Sequence, residues 1–206
     1  MKIWGLTGSI GMGKSTAARA FRRQGVPIFD ADAAVHALQA KGGRAVRPIA
    51  LAFPGTERHG ATDREALRRA VLGQPAALRI LERILHPLVR AEQARFLRRW
   101  HGRGASLVVL DIPLLFETRP NLREFDRILV VSAPAGVQRA RVLARGGMSE
   151  ARLAAIRARQ IPDAEKRRRA DVVIRTGLSR YHAQAAVRRL IKGSAVRRLI
   201  KEAADA

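Results

Sequence analysis

Cysteine is absent from the 206 residues, which excludes disulfides, thiol nucleophiles and thiolate metal sites. Histidine is scarce too, five scattered residues in all, so a zinc enzyme is not expected. Only nine residues are aromatic, which leaves few platforms on which nucleic-acid bases stack. No segment approaches the roughly 18 apolar residues of a membrane span. The opening Met1-Lys2-Ile3-Trp4-Gly5-Leu6 is too short an apolar run for a signal peptide, so a soluble, cytoplasmic protein is expected. Acidic residues are also few, 17 against 40 basic ones.

What is abundant is arginine, 34 of those 40 cations, and the formal net charge is +23. An anionic partner follows, and nucleic acid, a membrane surface and a polyphosphate substrate are each compatible with it. Plain decoration of helix faces by Arg is the competing explanation. At 47% hydrophobic residues the length suits one compact domain with small subdomains.

Lys2 to Leu6 reads as a strand running into a Gly-rich turn. A helix over Ser15 to Gln24 carries Ala17, Ala18 and Phe21 on one side, and a short strand Val26 to Phe29 stops at Asp30. Between Ala31 and His101 the pattern contains helices and no convincing strand. Asp63 caps one helix, Pro75 opens another, and His86-Pro87 bends the chain into Leu88 to Trp100. Leu107-Val108-Val109-Leu110, ending at Asp111, is the strongest strand, and Arg127 to Val131 is the next. A helix through Arg145, a Ser149-capped helix to Gln160, a strand Asp171 to Ile174 and a closing helix Leu178 to Lys201 complete the chain. Five strands alternating with helices predict an α/β fold with a mostly parallel sheet. Near the end, Ala186-Val187-Arg188-Arg189-Leu190-Ile191-Lys192 recurs nine residues later as Ala195 to Lys201. This reads as a local duplication that lengthens the last helix, with Gly193-Ser194 as a possible break.

Gly8-Ser9-Ile10-Gly11-Met12-Gly13-Lys14-Ser15 satisfies G-x-x-x-x-G-K-[ST] between a strand and a helix. Small residues let backbone N–H groups turn in around a polyphosphate, and the helix that follows adds its unpaired donors. Gly8, Gly11, Met12, Gly13, Lys14, Ser15 and Thr16 are the candidate ATP-binding residues. Lys14 reaches the β and γ phosphates, and Ser15 offers its hydroxyl to Mg²⁺. Asp111, at the end of the strongest strand, is a second candidate metal contact or else a cap for the next turn. In Asp30-Ala31-Asp32 one carboxylate suits helix capping and the other suits proton acceptance from an attacking hydroxyl. Asp30 is nearer the first role and Asp32 nearer the second. Ten cations against three carboxylates lie between Arg139 and Arg169. Among them Arg141 and Arg145, one helical turn apart beside Gly146-Gly147, are candidates for a lid that closes on phosphates, against a merely solvated face.

These segments resemble dephospho-coenzyme A kinases over nearly the whole chain. The resemblance rests on LTGSIGMGKST, IFDAD, LHPLVR, DIPLLFE and QIPDAEKRRRADVVI, which occur in that family's order. It implies a P-loop NTPase-type three-layer fold. The core would lie at about 1–32, 104–138 and 170–206, with a helical acceptor-binding insertion at about 33–103 and a lid at about 139–169. It further implies transfer of the ATP γ-phosphoryl group to the ribose 3′-hydroxyl of dephospho-coenzyme A, with Asp32 as base. The reading of Lys14, Arg141 and Arg145 as charge-neutralising catalytic groups, with Mg²⁺ at Ser15 and Asp111, comes from the residues themselves. His86, Pro87, Leu115 and Glu117, together with Asp32, are implied acceptor contacts. The family usually carries an Asp or Asn pair and Gly where this chain has Arg175-Thr176-Gly177, so the resemblance assigns no adenine-side contact there. Asp111 falls at a position that varies in the family, and the C-terminal repeat has no counterpart in it.

Two other classes compete. A P-loop kinase acting on a nucleoside monophosphate or sugar shares the phosphate loop, and a nucleic-acid-binding ATPase would use the net charge. The scarcity of aromatics and the lack of a recognised binding module argue against the second. The expected partners are therefore small molecules, ATP and dephospho-coenzyme A, with neither nucleic acid nor membrane. Oligomeric state is not legible.

Overall fold

The computed structural model describes residues 1–118 and 121–204, with side chains described as far as residue 193. It divides into two compact units, Met1–Ile28 with Ala105–Ala206, and Phe29–Gly104.

The first unit carries a five-stranded sheet in the order β2-β5-β1-β6-β7. Its strands are β1 (Lys2–Thr7), β2 (from Ile28 to Asp30, where the chain passes into the second unit), β5 (Leu107–Asp111), β6 (Arg127–Ser132) and β7 (Val172–Arg175). β1 pairs parallel with β5 and β6, and β6 pairs parallel with β7. β5 is buried along its whole length, which is why its sequence is a continuous apolar run rather than an alternating one. Trp4, Leu6, Val109, Leu129, Val131 and Ile174 from one face of the sheet pack with Ala17, Ala18 and Phe21 of α1 (Lys14–Arg23) and Val187 of α10 (Arg180–Ala204). Trp4 meets Phe21 edge-on at 6.2 Å between ring centroids, and the Arg127 guanidinium lies 5.6 Å from the Trp4 ring. Burying each such large side chain is worth about 1.5–3 kcal/mol, so this layer fixes the strand from which the phosphate loop leaves.

Several boundaries differ from the sequence reading. α7 (Ala135–Leu143) ends before Arg145, with Ala144 as its C-cap, because the Arg145 N–H already turns back to the Val142 carbonyl ahead of Gly146-Gly147. α8 (Glu150–Ala158) has the expected Ser149 cap, whose side chain accepts from the Arg152 N–H. Two short helices were not expected, α6 (Leu115–Thr118) and α9 (Asp163–Arg168). α10 runs unbroken through Gly193-Ser194, and the side chains of the second copy of the repeat lie outside the described residues.

The second unit is mainly helical, with α2 (Ala31–Gln39), α3 (Val46–Ala52), α4 (Arg64–Val71) and α5 (Pro75–His101). Leu38, Ala45, Ile49, Phe53, Leu67 and Leu81 form its core. Asp63 caps α4 by accepting from the Glu65 and Ala66 N–H groups, each at 3.0 Å. The Ala66 bond is the main reason its carboxyl is held below the usual range. Two findings correct the expectations for this segment. It does contain strands, the antiparallel pair β3 (Glu57–Arg58) and β4 (Ala61–Thr62), joined by His59 and Gly60, both at positive φ, as a two-residue hairpin requires. α5 is one helix of 27 residues with Pro87 inside it, so His86-Pro87 does not separate two helices.

Candidate phosphate-binding site

The loop after β1 has the shape its sequence predicts. Gly11 (φ 76°) and Gly13 (φ 90°) take left-handed backbone conformations, and Gly13 stands at the N-cap of α1 with no side-chain cap. A Cβ on Gly11 would come within 2.5 Å of Val142 Cγ2, and one on Gly13 within 2.9 Å of Thr176 Oγ1. Glycine is therefore required at both positions by conformation and by space. The N–H groups of Lys14 and Ser15 open α1 and have no helical acceptor behind them. They constitute the positive end of the helix dipole, where an anion binds.

Four side chains from distant parts of the chain hold this loop from outside. Gln138 on α7 donates through Nε2 to the Ile10 carbonyl at 2.8 Å, and Gln160 accepts the Ile10 N–H at 3.2 Å. Thr176 donates through Oγ1 to the Met12 carbonyl at 2.5 Å. Arg141 in turn donates to Thr176, at 3.1 Å to the hydroxyl and 2.6 Å to the carbonyl. None of Gln138, Gln160 and Thr176 was singled out from sequence. Glutamine and threonine carry no spacing signature, and their partners lie more than a hundred residues away. The order of the family-like segments was the one available signal, since Gln160 opens QIPDAEKRRR.

Two ion pairs flank the loop. Lys14 Nζ lies 2.5 Å from Asp111 Oδ1, with 18% and 4% of the side chains exposed. In this structure Asp111 is thus the counterion of the phosphate-loop lysine. Glu117 on α6 pairs with Lys166 on α9 at 2.7 Å, and Lys166 is wholly buried. The same Glu117 oxygen accepts the Ile161 N–H at 3.0 Å. Leu115, on the same short helix, is fully buried.

The arginines expected to act together do not share a helix. Arg141 is half-buried on α7 and committed to Thr176, whereas Arg145 is exposed beyond the end of that helix. Of the other cations in the 139–169 segment, Arg139 pairs with Glu150, Arg167 with Asp163 and Arg169 with Glu165. A cavity of about 610 Å³ opens beside Met12, walled by Pro134, Arg157, Asp163, Arg175 and Gly177. The Arg175-Thr176-Gly177 turn therefore contributes two residues to the cavity wall, while Thr176 supports the phosphate loop.

In the second unit, Asp30 Oδ1 accepts the Ala33 N–H at 3.0 Å and is the N-cap of α2. Asp32 sits exposed in the first turn of that helix. His86 and Pro87 are exposed on α5. No cluster of three or more His, Asp or Glu that could hold a metal is present among the described residues. Ser15, exposed in the first turn of α1, and Asp111 are hard oxygen donors next to the anion site. That set fits Mg²⁺, which keeps several waters and takes the rest of its shell from phosphates. No helix among the described residues is long and apolar enough to cross a membrane.

Comparison with known proteins gives a consistent result. The family model CoaE, dephospho-CoA kinase, matches residues 2–179. A dephospho-CoA kinase of Paramagnetospirillum magneticum is 60% identical over 167 residues, which is 81% of this chain and 78% of that protein. One from Mesorhizobium japonicum is 54% identical over 191 residues, covering 93% and 95% of the two chains. A crystal structure from Thermus thermophilus superposes with a TM-score of 0.80 at 35% identity, covering 93% of this chain and 97% of that one.

Proposed function

Because the chain belongs to the dephospho-CoA kinase family, we propose that it moves the γ-phosphoryl group of ATP to the ribose 3′-hydroxyl of dephospho-coenzyme A. The products are coenzyme A and ADP, and the reaction is the last step of coenzyme A synthesis. The observation that carries this reading is the phosphate loop, formed in full at the head of α1, within a family match spanning residues 2–179. The enzyme is read as cytoplasmic, with two small-molecule substrates and no nucleic-acid partner.

Phosphoryl transfer asks the protein mainly for position and charge neutralisation. The Gly11–Thr16 stretch cradles the ATP phosphates, with the Lys14 and Ser15 N–H groups as donors, since the Met12 and Thr16 N–H groups bond the Ser9 and Gly13 carbonyls. Lys14 faces the β and γ groups once ATP competes with Asp111 for its ammonium. Ser15 and Asp111 would hold Mg²⁺, which when bound would supply positive charge to the γ-phosphate. The cavity beside Met12 is of a size to take the nucleoside. Asp32 accepts the proton of the 3′-hydroxyl as that oxygen bonds to the γ-phosphorus, and the bond from phosphorus to the bridging oxygen breaks to release ADP. Its neighbour Asp30 is already occupied as a helix cap, which leaves the Asp32 carboxylate available for this role. Arg141, through Thr176, supports the loop from behind, and Arg145, exposed beyond the end of α7, is one of the arginines with freedom to reach a phosphate. His86 and Pro87, exposed on α5, stand as acceptor-side candidates, whereas Leu115 is wholly buried and presents no surface to an acceptor.

The test is ADP release from Mg-ATP with dephospho-coenzyme A, nucleoside monophosphates and sugars offered in parallel. Dephospho-coenzyme A is expected to be the acceptor, and preferential turnover of any other would overturn the assignment. Asp32→Asn is expected to lower turnover by at least about 100-fold with both substrates still bound. Near-normal turnover of that variant would remove Asp32 as the base.

A further inference from the structure

Glu117 lies on α6, in the DIPLLFE segment that the sequence offered as an acceptor contact, yet its carboxylate is engaged inside the protein. One oxygen, Oε1, lies 2.7 Å from the Lys166 ammonium as an ion pair and accepts the Ile161 N–H at 3.0 Å. Lys166 is fully buried and only 13% of the Glu117 side chain is exposed. A buried pair of this kind costs desolvation of both ions; its use lies in what it holds in place.

That use can be traced bond by bond. Ile161, gripped by Glu117, follows directly on Gln160, whose Oε1 accepts the Ile10 N–H at 3.2 Å. The other side of Ile10, its carbonyl, is held by Gln138 at 2.8 Å. Ile10 immediately precedes Gly11, whose left-handed turn aims the phosphate-binding N–H groups. Glu117 thus sits at the base of a chain from α6 through the 160–161 backbone to the shoulder of the phosphate loop.

The geometry points to Glu117 as a positioning residue for ATP. Through Ile161 and Gln160 it sets the phosphate loop in its anion-binding shape and makes no contact with the acceptor. The inference rests on the kinase reading only in naming ATP as the ligand of that loop. An acceptor contact at Glu117 predicts the opposite pattern of kinetic effects, so the two roles separate experimentally.

The experiment measures affinity for a non-hydrolysable ATP analogue with no acceptor present, and separately the KM for dephospho-coenzyme A at saturating ATP. Glu117→Leu combined with Lys166→Met removes both buried charges at similar volume, so that no stranded ion unfolds the protein, and it deletes the acceptor for the Ile161 N–H. This variant is expected to bind the analogue about 3- to 10-fold more weakly, with the KM for dephospho-coenzyme A unchanged. Glu117→Gln with Lys166→Met keeps an amide oxygen for the Ile161 N–H and is expected to restore affinity. Gln160→Ala, which leaves the ion pair intact, is expected to reproduce the loss and to add nothing to the Glu117→Leu, Lys166→Met background. Unchanged analogue affinity in a folded Glu117→Leu, Lys166→Met protein overturns the inference, as does a rise in acceptor KM alone or additivity with Gln160→Ala. Failure of the wild-type protein to bind the analogue would count against the kinase reading instead.

Discussion

Lys14 and Asp111 form a contact that pins the resting loop and joins two groups to which the proposed reaction gives separate tasks. The ammonium and carboxylate meet at 2.5 Å with the carboxylate almost wholly buried, a short charge-assisted contact in a setting where water screens little. Asp111→Asn takes away the charge that pins Lys14 and one candidate oxygen for Mg²⁺. Turnover with Mg-ATP is expected to fall about 10- to 100-fold, whereas Lys14→Ala is expected to abolish it. Steady-state ADP release checks both, and a fully active Asp111→Asn would exclude Asp111 from the metal site and leave it as the resting counterion of Lys14. The phosphate loop was legible because its demands are local: positive φ, lack of side chains and a helix start all fall within eight consecutive residues. Its supports were not. Gln138, Gln160 and Thr176 reach the loop only after the sheet has been assembled, and their residue types report nothing about a partner 128, 150 or 164 positions away. Arg141 was legible as important, but its visible work is on Thr176.

Among the elements, α5 and the β3–β4 pair differ most from the sequence reading. A proline in mid-helix usually signals a break, since it removes one N–H and crowds the preceding turn. Here Leu81, Ile84 and Leu85 before Pro87 and Leu88 and Val89 after it all pack against one core, so tertiary burial on a continuous face outweighs the local loss. Each strand of the β3–β4 pair has two residues, too few for alternation to register. β5 lies at the other extreme, where full burial wrote its position plainly into five consecutive residues. The tolerated proline leads to a prediction. Pro87→Ala returns a hydrogen-bond donor to the helix at an exposed position, and is expected to stabilise the protein by about 2 kcal/mol, or about 4–8 °C in Tm. Thermal melting checks this, with KM for dephospho-coenzyme A measured on the same sample. A higher Tm together with a higher KM would mean that Pro87 is kept for the acceptor, and an unchanged or lower Tm would mean that the proline ring contributes packing the helix needs.

On the scale of the whole molecule, the charge of +23 is distributed unevenly between tasks. In the 139–169 segment, Arg139, Lys166, Arg167 and Arg169 are neutralised by carboxylates, and Arg141 is tied to Thr176. Arg152 donates to the Gly147 carbonyl. Arg145, Arg157, Arg159 and Arg168 have no carboxylate partner among the described residues, and Arg157 is the one of these four that walls the cavity beside Met12. An excess of this kind sets up a field that attracts polyanions, and both proposed substrates are polyanions. Such a field is screened over about 10 Å at 0.1 M salt. Apparent KM values for ATP and for dephospho-coenzyme A are accordingly expected to rise several-fold between about 20 and 300 mM potassium chloride, with kcat nearly constant, because charges already in contact are screened far less. The same field should bind duplex DNA loosely at the lower salt and release it at the higher one. What separates a field from a function is the coupling: ATP hydrolysis without acceptor is expected to be the same with and without DNA at every salt concentration. Stimulation of that hydrolysis by DNA would require a nucleic-acid role for the arginine surface, which the small-molecule reading does not contain.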